Sequence, residues 1–267
     1  MLLAIDIGNT NLTFGVFEGK QQLHQWRAAT RRGRTADEYG VLLARFLRMA
    51  GLDPAQIAGC VISSVVPPLT AACVTMARTY LKTEPLVVGP GVRTKMRILY
   101  DNPAQLGADR LIDAVGARDV YGAPVIVIDF GTATTFNVVD GDGNYRGGAI
   151  APGIGVAAEA LVNAAAQLPR IELVFPPRVT ATSTSEAMQS GVLYGYLGLV
   201  EGMVRRLQAE WGDEATVVAT GGLAGLVAER TDAIDIVDQN LTLEGLRVIW
   251  DLNRNVKRKT QDARRKT

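Results

Sequence analysis

One segment of this chain is written twice. Ile5-Asp6-Ile7-Gly8-Asn9-Thr10 returns in form as Ile128-Asp129-Phe130-Gly131-Thr132-Ala133. In each copy a short apolar run ends in Asp-x-Gly-polar and a second strand-like run follows. Two strand ends can look alike by chance, but here the surroundings repeat as well. Residues 2–7 are a buried run, and 12–18 and 23–29 alternate. A helix follows, opened by a Thr35/Glu38 capping box and striped by Tyr39, Leu42, Leu43, Phe46 and Leu47. Residues 57–63 read as a buried strand, Pro67-Pro68 opens a helix to about Leu81, and 85–88 are a short strand. The later part runs Val125–Asp129, Thr134–Val139 and Tyr145–Ile150 as a meander around Asp140-Gly141-Asp142-Gly143. Helices are expected near 154–166 and 186–210, then a strand Val217–Thr220, a short helix after Gly221-Gly222 and a last helix from about Thr242 to Asn253. Such a repeat constrains the chain to two α/β halves of one plan, 1–118 and 119–256, with a ligand cleft between them and a basic tail at 257–267.

The 267 residues are ample for a real core, and 48% hydrophobic content fits an α/β protein. A net charge of +1 gives no reason to invoke nucleic acid or an acidic membrane as a partner. The tail from Lys257 to Lys266 is rich in Lys and Arg and is read as a solvated, frayed end. No secretory leader is apparent and no apolar run is long enough to span a bilayer, so a cytoplasmic location is expected. Cys60 and Cys73 lack metal-site spacing and read as buried thiols of a reducing compartment. His24 is the only histidine and reads as structural, so acid–base chemistry falls to Asp or Glu.

The two Asp-Gly turns are the first chemical candidates. Glycine lets a backbone approach a ligand, and successive N–H groups of a tight turn make an anion nest. In Gly8-Asn9-Thr10-Asn11, Gly and Asn also accept positive φ, as hairpin turns favour. The hydroxyls of Thr10, Thr132, Thr134 and Thr135 and the amides of Asn9 and Asn11 can donate to phosphate oxygens. A carboxylate beside a polyphosphate needs an intervening cation, so Asp6 implies Mg²⁺, held partly through water. The plain alternative is two polar β-turns. No G-x-x-x-x-G-K-[ST] sequence occurs. Gly153-Ile154-Gly155-Val156-Ala157-Ala158 matches a loose dinucleotide pattern, but it follows a meander and not the first strand of a βαβ unit.

Tyr100-Asp101-Asn102-Pro103 and Gly107-Ala108-Asp109-Arg110 precede a helix running to about Val120, with Asp109 near its start and Asp113 one turn later. A carboxylate there can accept an alcohol proton while Arg110 holds an anion. Helix capping with a surface ion pair explains the same residues. Thr182-Ser183-Thr184-Ser185 caps the following helix with or without a ligand.

Together these segments resemble type III pantothenate kinase, of the superfamily that joins actin with the acetate and sugar kinases. The carriers are Asp6-Ile7-Gly8-Asn9-Thr10-Asn11, Gly107-Ala108-Asp109-Arg110, Asp129-Phe130-Gly131-Thr132-Ala133-Thr134-Thr135, Gly147–Gly153, Thr184 with Glu186–Gly191, and Ala219-Thr220-Gly221-Gly222. The resemblance implies duplicated actin-like (ribonuclease H-like) halves, mixed sheets flanked by helices, with an ATP cleft between them. It implies ATP-dependent phosphorylation of pantothenate in coenzyme A synthesis by a homodimer. Asp6, Ile7, Gly8, Asn9, Thr10, Asn11, Leu12 and Thr13 match the first ATP loop, and Thr132 a further ATP contact. Asp109 matches the base, and Tyr100, Gly107, Ala108, Asp109, Arg110 and Thr184 the pantothenate site. Asp129 matches the ligand of K⁺ or NH₄⁺. Two rivals stay open: another kinase or phosphohydrolase of the superfamily, acting on acetate or polyphosphate, and a non-catalytic accessory protein of transcription.

Overall fold

The computed structural model describes the backbone of residues 1–211 and 214–264 and side chains to Arg254. The chain divides into two compact units. The first is Met1–Val120 with the segment from Asn240 onward, and the second is Tyr121–Gln239.

In the first unit, β1 (Leu2–Ile7), β2 (Asn11–Glu18) and β3 (Gln21–Ala29) form an antiparallel meander. β4 (Gly59–Ser64) and β5 (Leu86–Val87) join in parallel, giving the order β3-β2-β1-β4-β5. The apolar residues Leu3, Ile5 and Ile7 alternate to one face, where they meet Leu43 and Leu47 of α1 (Ala36–Met49) and Leu69 and Cys73 of α2 (Pro67–Tyr80). The expected Thr35/Glu38 capping box opens α1. Cys60 and Cys73 are free, buried thiols in this core, and burial pushes the Cys73 thiol up to about 12.

The opposite face is covered by α7 (Leu241–Arg264), which packs on β1, β4 and β2. Glycines make room for it. A Cβ on Gly15 would come within 2.8 Å of Leu243, and one on Gly59 within 2.3 Å of Trp250. α3 (Ala108–Tyr121) crosses α7 at a glycine pair, where a Cβ on Gly245 would lie 2.0 Å from the Ile112 carbonyl oxygen. Sequence pattern allotted this last helix to the second half and ended it near Asn253. The helix instead belongs to the first unit, because its apolar stripe meets the glycine-lined face of the first sheet. Of the expected basic tail, the backbone to Arg264 continues α7, and the rest lies outside the described residues.

The second unit repeats the first. β6 (Val125–Phe130), β7 (Ala133–Val139) and β8 (Tyr145–Pro152) form the meander, and β9 (Thr216–Thr220) and β10 (Ile236–Val237) join in parallel. The order β10-β9-β6-β7-β8 is that of the first sheet, strand for strand. α4 (Ile154–Ala164), α5 (Thr184–Trp211) and α6 (Ala224–Ala228) supply its helices, with Leu193, Val200 and Val204 of α5 packed on Ile126, Ile128 and Phe136. Among the described residues, no helix is long and apolar enough to cross a membrane.

Candidate active site

Asp6 lies at the carboxyl end of β1. Register sets it opposite Thr13 of β2 and Ser63 of β4, so the three side chains share one sheet face. The following turn is closed by Gly8, whose N–H donates to the Asn11 carbonyl at 2.9 Å. A Cβ on Gly8 would stand 3.1 Å from that same oxygen. Buried Ile7 and Leu12 anchor the two sides, while Asn9, Thr10 and Asn11 are exposed at the tip. None of Gly8, Asn9 or Asn11 has positive φ, contrary to the hairpin chemistry expected from their types. The wider loop turns the chain without left-handed residues, and Gly8 serves by its lack of a side chain.

Asp109 stands in the first turn of α3, where its Oδ1 accepts from the Arg110 N–H at 2.8 Å. Gly107 makes this possible, because a Cβ there would meet Asp109 Oδ1 at 2.4 Å. Within the first unit, Asp109 lies near enough to Asp6 for its charge to act there. Burial chiefly, and then the Asp109 charge, raise the Asp6 carboxyl from 3.8 to about 7, against a lowering hydrogen bond from Ser63. Ala108 opens the helix, and Arg110 is buried at 6% exposure. Tyr100 lies on the preceding loop, which Arg118 holds by donating to the Thr94 and Lys95 carbonyls. Asp113, one turn later, is buried and accepts from Thr242 Oγ1 of α7 at 2.7 Å.

In the second unit, Asp129 ends β6 as Asp6 ends β1, opposite Thr135 and buried Thr220. Its carboxylate sits in a glycine cradle. A Cβ on Gly131 would be 3.2 Å from Oδ2, and one on Gly221, where φ is +92°, 2.5 Å from Oδ1. The turn is shorter by one residue, with Gly131 N–H donating to the Ala133 carbonyl and Thr132 exposed at its tip. Gly153 N–H donates to the Thr132 carbonyl at 3.1 Å, so the second meander braces the turn. Thr134 and Thr135 are buried in the sheet, and register puts Thr135 on the face of Asp129, where its Oγ1 accepts from Asn137 Nδ2 at 3.1 Å. Thr184 is exposed at the start of α5, where Ser183 Oγ accepts from the Glu186 N–H at 3.3 Å. Thr184 also borders an apolar groove of about 590 Å³ between α4 and α5.

Two residues at these turns escape a reading by motif. Ser63 meets Asp6 only through the parallel pairing of β1 and β4. Thr30 donates from Oγ1 to the Gly8 carbonyl at 2.6 Å and from N–H to the Thr10 carbonyl at 2.9 Å. A hydroxyl at each strand end was their only sequence signal.

The likenesses to known proteins converge on these segments. A family model described as type III pantothenate kinase matches residues 2–206. A type III pantothenate kinase of Roseiflexus sp. is 54% identical over 255 residues, covering 96% of this chain and all of the relative. One of Moorella thermoacetica is 52% identical over 253 residues, covering 95% of this chain and all of the relative. Among solved structures, a Campylobacter jejuni protein named as a Baf family transcriptional activator superposes with a TM-score of 0.60 at 20% identity, over 95% of this chain and 99% of its own. A Sinorhizobium meliloti protein named as a 2-dehydro-3-deoxygalactonokinase does so with a TM-score of 0.52 at 14% identity, over 93% and 95%. At such identities the structural likeness speaks for the fold, which is the duplicated actin-like α/β class. The match of the family model across both Asp-Gly turns, with relatives more than half identical end to end, makes this chain a member of the type III pantothenate kinase family.

Proposed function

We propose that the protein transfers the γ-phosphoryl group of ATP to the primary hydroxyl of pantothenate, giving ADP and 4′-phosphopantothenate, the first step of coenzyme A synthesis. The observation that carries this reading is that Asp109, at the start of α3, stands within electrostatic reach of Asp6 at the foot of the Gly8–Asn11 turn. Residues 6–13 take the ATP phosphates: Asn9, Thr10 and Asn11 offer exposed donors, while Ile7 and Leu12 hold the turn in shape. Thr132 is a further ATP contact.

Gly107, Ala108, Asp109 and Arg110, with Tyr100 and Thr184, bind pantothenate. Arg110 pairs with its carboxylate, and Thr184 and Tyr100 hydrogen-bond its polar groups. Asp109 accepts the hydroxyl proton as that oxygen bonds to the γ-phosphorus and the bond to the ADP oxygen breaks. Phosphoryl transfer depends mostly on positioning and charge neutralisation, so Asp109 also acts by aiming the hydroxyl.

The residues fit the ions the family implies. A carboxyl raised to about 7 by burial and a like charge gains from a cation, and Asp6 would hold Mg²⁺ largely through water. Mg²⁺ supplies positive charge against the polyphosphate. The glycine cradle brings backbone close around the Asp129 carboxylate, and K⁺ or NH₄⁺ held there would offset further charge. The apolar groove bordered by Thr184 offers a surface for a second copy in a homodimer, in line with the exposed Val156 and Leu161 of α4. The reaction belongs in the cytoplasm, where ATP is supplied.

The test is ADP release by the purified protein with Mg²⁺ and K⁺, in the presence and absence of pantothenate. Turnover that requires pantothenate is expected. Equal ADP release without it, or with acetate in its place, rejects the assignment.

A further inference from the structure

The candidate phosphate turn stands beside two carboxylates, Asp6 and Asp109, and its own donors are neutral. A bound polyphosphate therefore calls for cationic side chains within the same unit. The fold brings arginines to the turn by two routes. The first is register. Ser63, Asp6, Thr13 and Arg27 stand opposite one another across β4, β1, β2 and β3, so they form one row on one face of the sheet. Arg27 is exposed at the end of that row.

The second route is the connection after β3. The chain there is fastened to the phosphate turn by both Thr30 hydrogen bonds, to the Gly8 and Thr10 carbonyls. Arg31-Arg32-Gly33-Arg34 then makes a tight turn, closed by the Arg34 N–H donating to the Arg31 carbonyl at 3.0 Å. Arg34 lies over the ring of buried Tyr39, 5.6 Å from its centroid. Glu38 is held low first by its Thr35 cap bonds, then by the charges of Arg34 and Arg31. Of these, Arg34 is held against α1 by its ring contact. Arg32 is exposed and makes no hydrogen bond or ion pair among the described residues.

A cation with no partner among the described residues, on a turn tied at two points to the Gly8–Asn11 turn, has a purpose if the anion comes with the ligand. We propose that the Arg31–Arg34 turn forms a second wall of the nucleotide site. In it Arg32, assisted by Arg31, pairs with the terminal phosphates of ATP, and Thr30 is the positioning residue that fastens the wall to the Gly8–Asn11 turn. The proposal rests on the ATP reading above and extends it: it names where this unit finds its positive charge. The guanidinium fork matches two phosphate oxygens at once, so the wall senses the number of phosphates more than the base.

The experiment compares Mg-nucleotide binding by wild type, Arg32→Gln, Arg31→Gln/Arg32→Gln, Thr30→Val and Thr30→Ser, by calorimetry with ATP, ADP and AMP and no acceptor present. A charge-assisted pair gives about a tenfold or larger loss of ATP affinity in the double variant, with AMP affinity changed less than about twofold. The ATP KM rises in step while the pantothenate KM stays near wild type. Thr30→Val moves ATP binding in the same direction, and Thr30→Ser restores it. Arg48→Gln, in the last turn of α1, serves as a surface control that leaves all values unchanged. Unchanged ATP affinity in the double variant overturns the proposal, as does an equal loss for ATP, ADP and AMP. A wild type that binds ATP but ignores pantothenate rejects the acceptor assignment alone, and the binding series then still decides the wall. A wild type that binds no ATP overturns both.

Discussion

At the scale of single residues, the proposed chemistry rests on two carboxylates, one of which feels the charge of the other. Asp6 is raised to about 7, so the folded chain holds a proton that the unfolded chain has released. Between about pH 4 and 7 the folded state therefore binds more protons, and stability falls as pH rises through that window. The Asp6→Asn variant lacks this effect. Thermal melts should show the variant gaining on wild type by roughly 2–4 kcal/mol between pH 4 and 7, and an Asp6 that behaves as an ordinary surface carboxylate would leave the difference flat. For Asp109→Asn, kcat should drop by about 10²–10⁴ while ATP affinity in calorimetry persists. A variant keeping near-normal kcat would remove Asp109 from the base role. These two aspartates were legible in the sequence because each sits in a motif of its own. Ser63 and Thr30 were not, because strand register and the path after β3 bring them to the turn, and neither is local. Gly8 was legible as a necessity but for an inexact reason: closeness to the Asn11 carbonyl, and not positive φ, fixes it.

At the scale of elements, the position of Asp109 depends on how α3 lies against α7. The two helices meet where a Cβ on Gly116 would come within 2.8 Å of the Leu241 carbonyl oxygen and one on Gly245 within 2.0 Å of that of Ile112. Buried Arg247 continues the contact, bonding Glu244 and Asp251 of its own helix and reaching Asp119 of α3 at 3.6 Å. Gly245→Ala forces the helices apart. It should lower stability by roughly 1–3 kcal/mol in denaturant titration, and it should lower kcat in the fraction that stays folded, since α3 carries Asp109. A fully active, fully stable Gly245→Ala would show that the crossing is loose. Most elements were legible from period and caps; the Thr35/Glu38 box and Pro67-Pro68 mark helix starts that the structure keeps. β10 was missed because two residues carry no period. The length of α7 was missed because its polar end offers no apolar stripe, and its destination was missed because amphipathicity does not name the sheet it covers.

At the scale of the whole molecule, one plan of five strands is used twice, with an aspartate at equivalent strand ends. Asp6 and Asp129 both end the central strand of their sheet, and Ser63 and Thr220 both stand beside them on the parallel neighbour. The duplication was readable from the paired Asp-x-Gly turns together with the matching runs around them, although the sequence did not reveal that the sheets would agree strand for strand. The proposed division of labour assigns a divalent ion to the first carboxylate and a monovalent ion to the second. Replacing K⁺ and NH₄⁺ by Na⁺ should slow turnover in wild type and leave Asp129→Ala indifferent to the exchange. A wild type equally active in Na⁺ contradicts the second ion. Sedimentation should give twice the 28.6 kDa of the single chain, and a monomer at that mass contradicts the homodimer.

The return of α7 to the first unit has a consequence for how the chain is made. Synthesis runs from the amino end, so Tyr121–Gln239 leaves the ribosome as one uninterrupted segment and holds every strand of its own sheet. The first unit begins earlier but finishes later. Its sheet waits with the glycine-lined face of Gly15 and Gly59 uncovered until Leu243 and Trp250 arrive. Joining those ends closes a long loop, a cost that grows only slowly with length, so the delay is one of timing more than of energy. The unit that carries Asp6 and Asp109 is thus the last to mature, since α3 gains its glycine crossing with α7 only after Leu241 and Gly245 have been made.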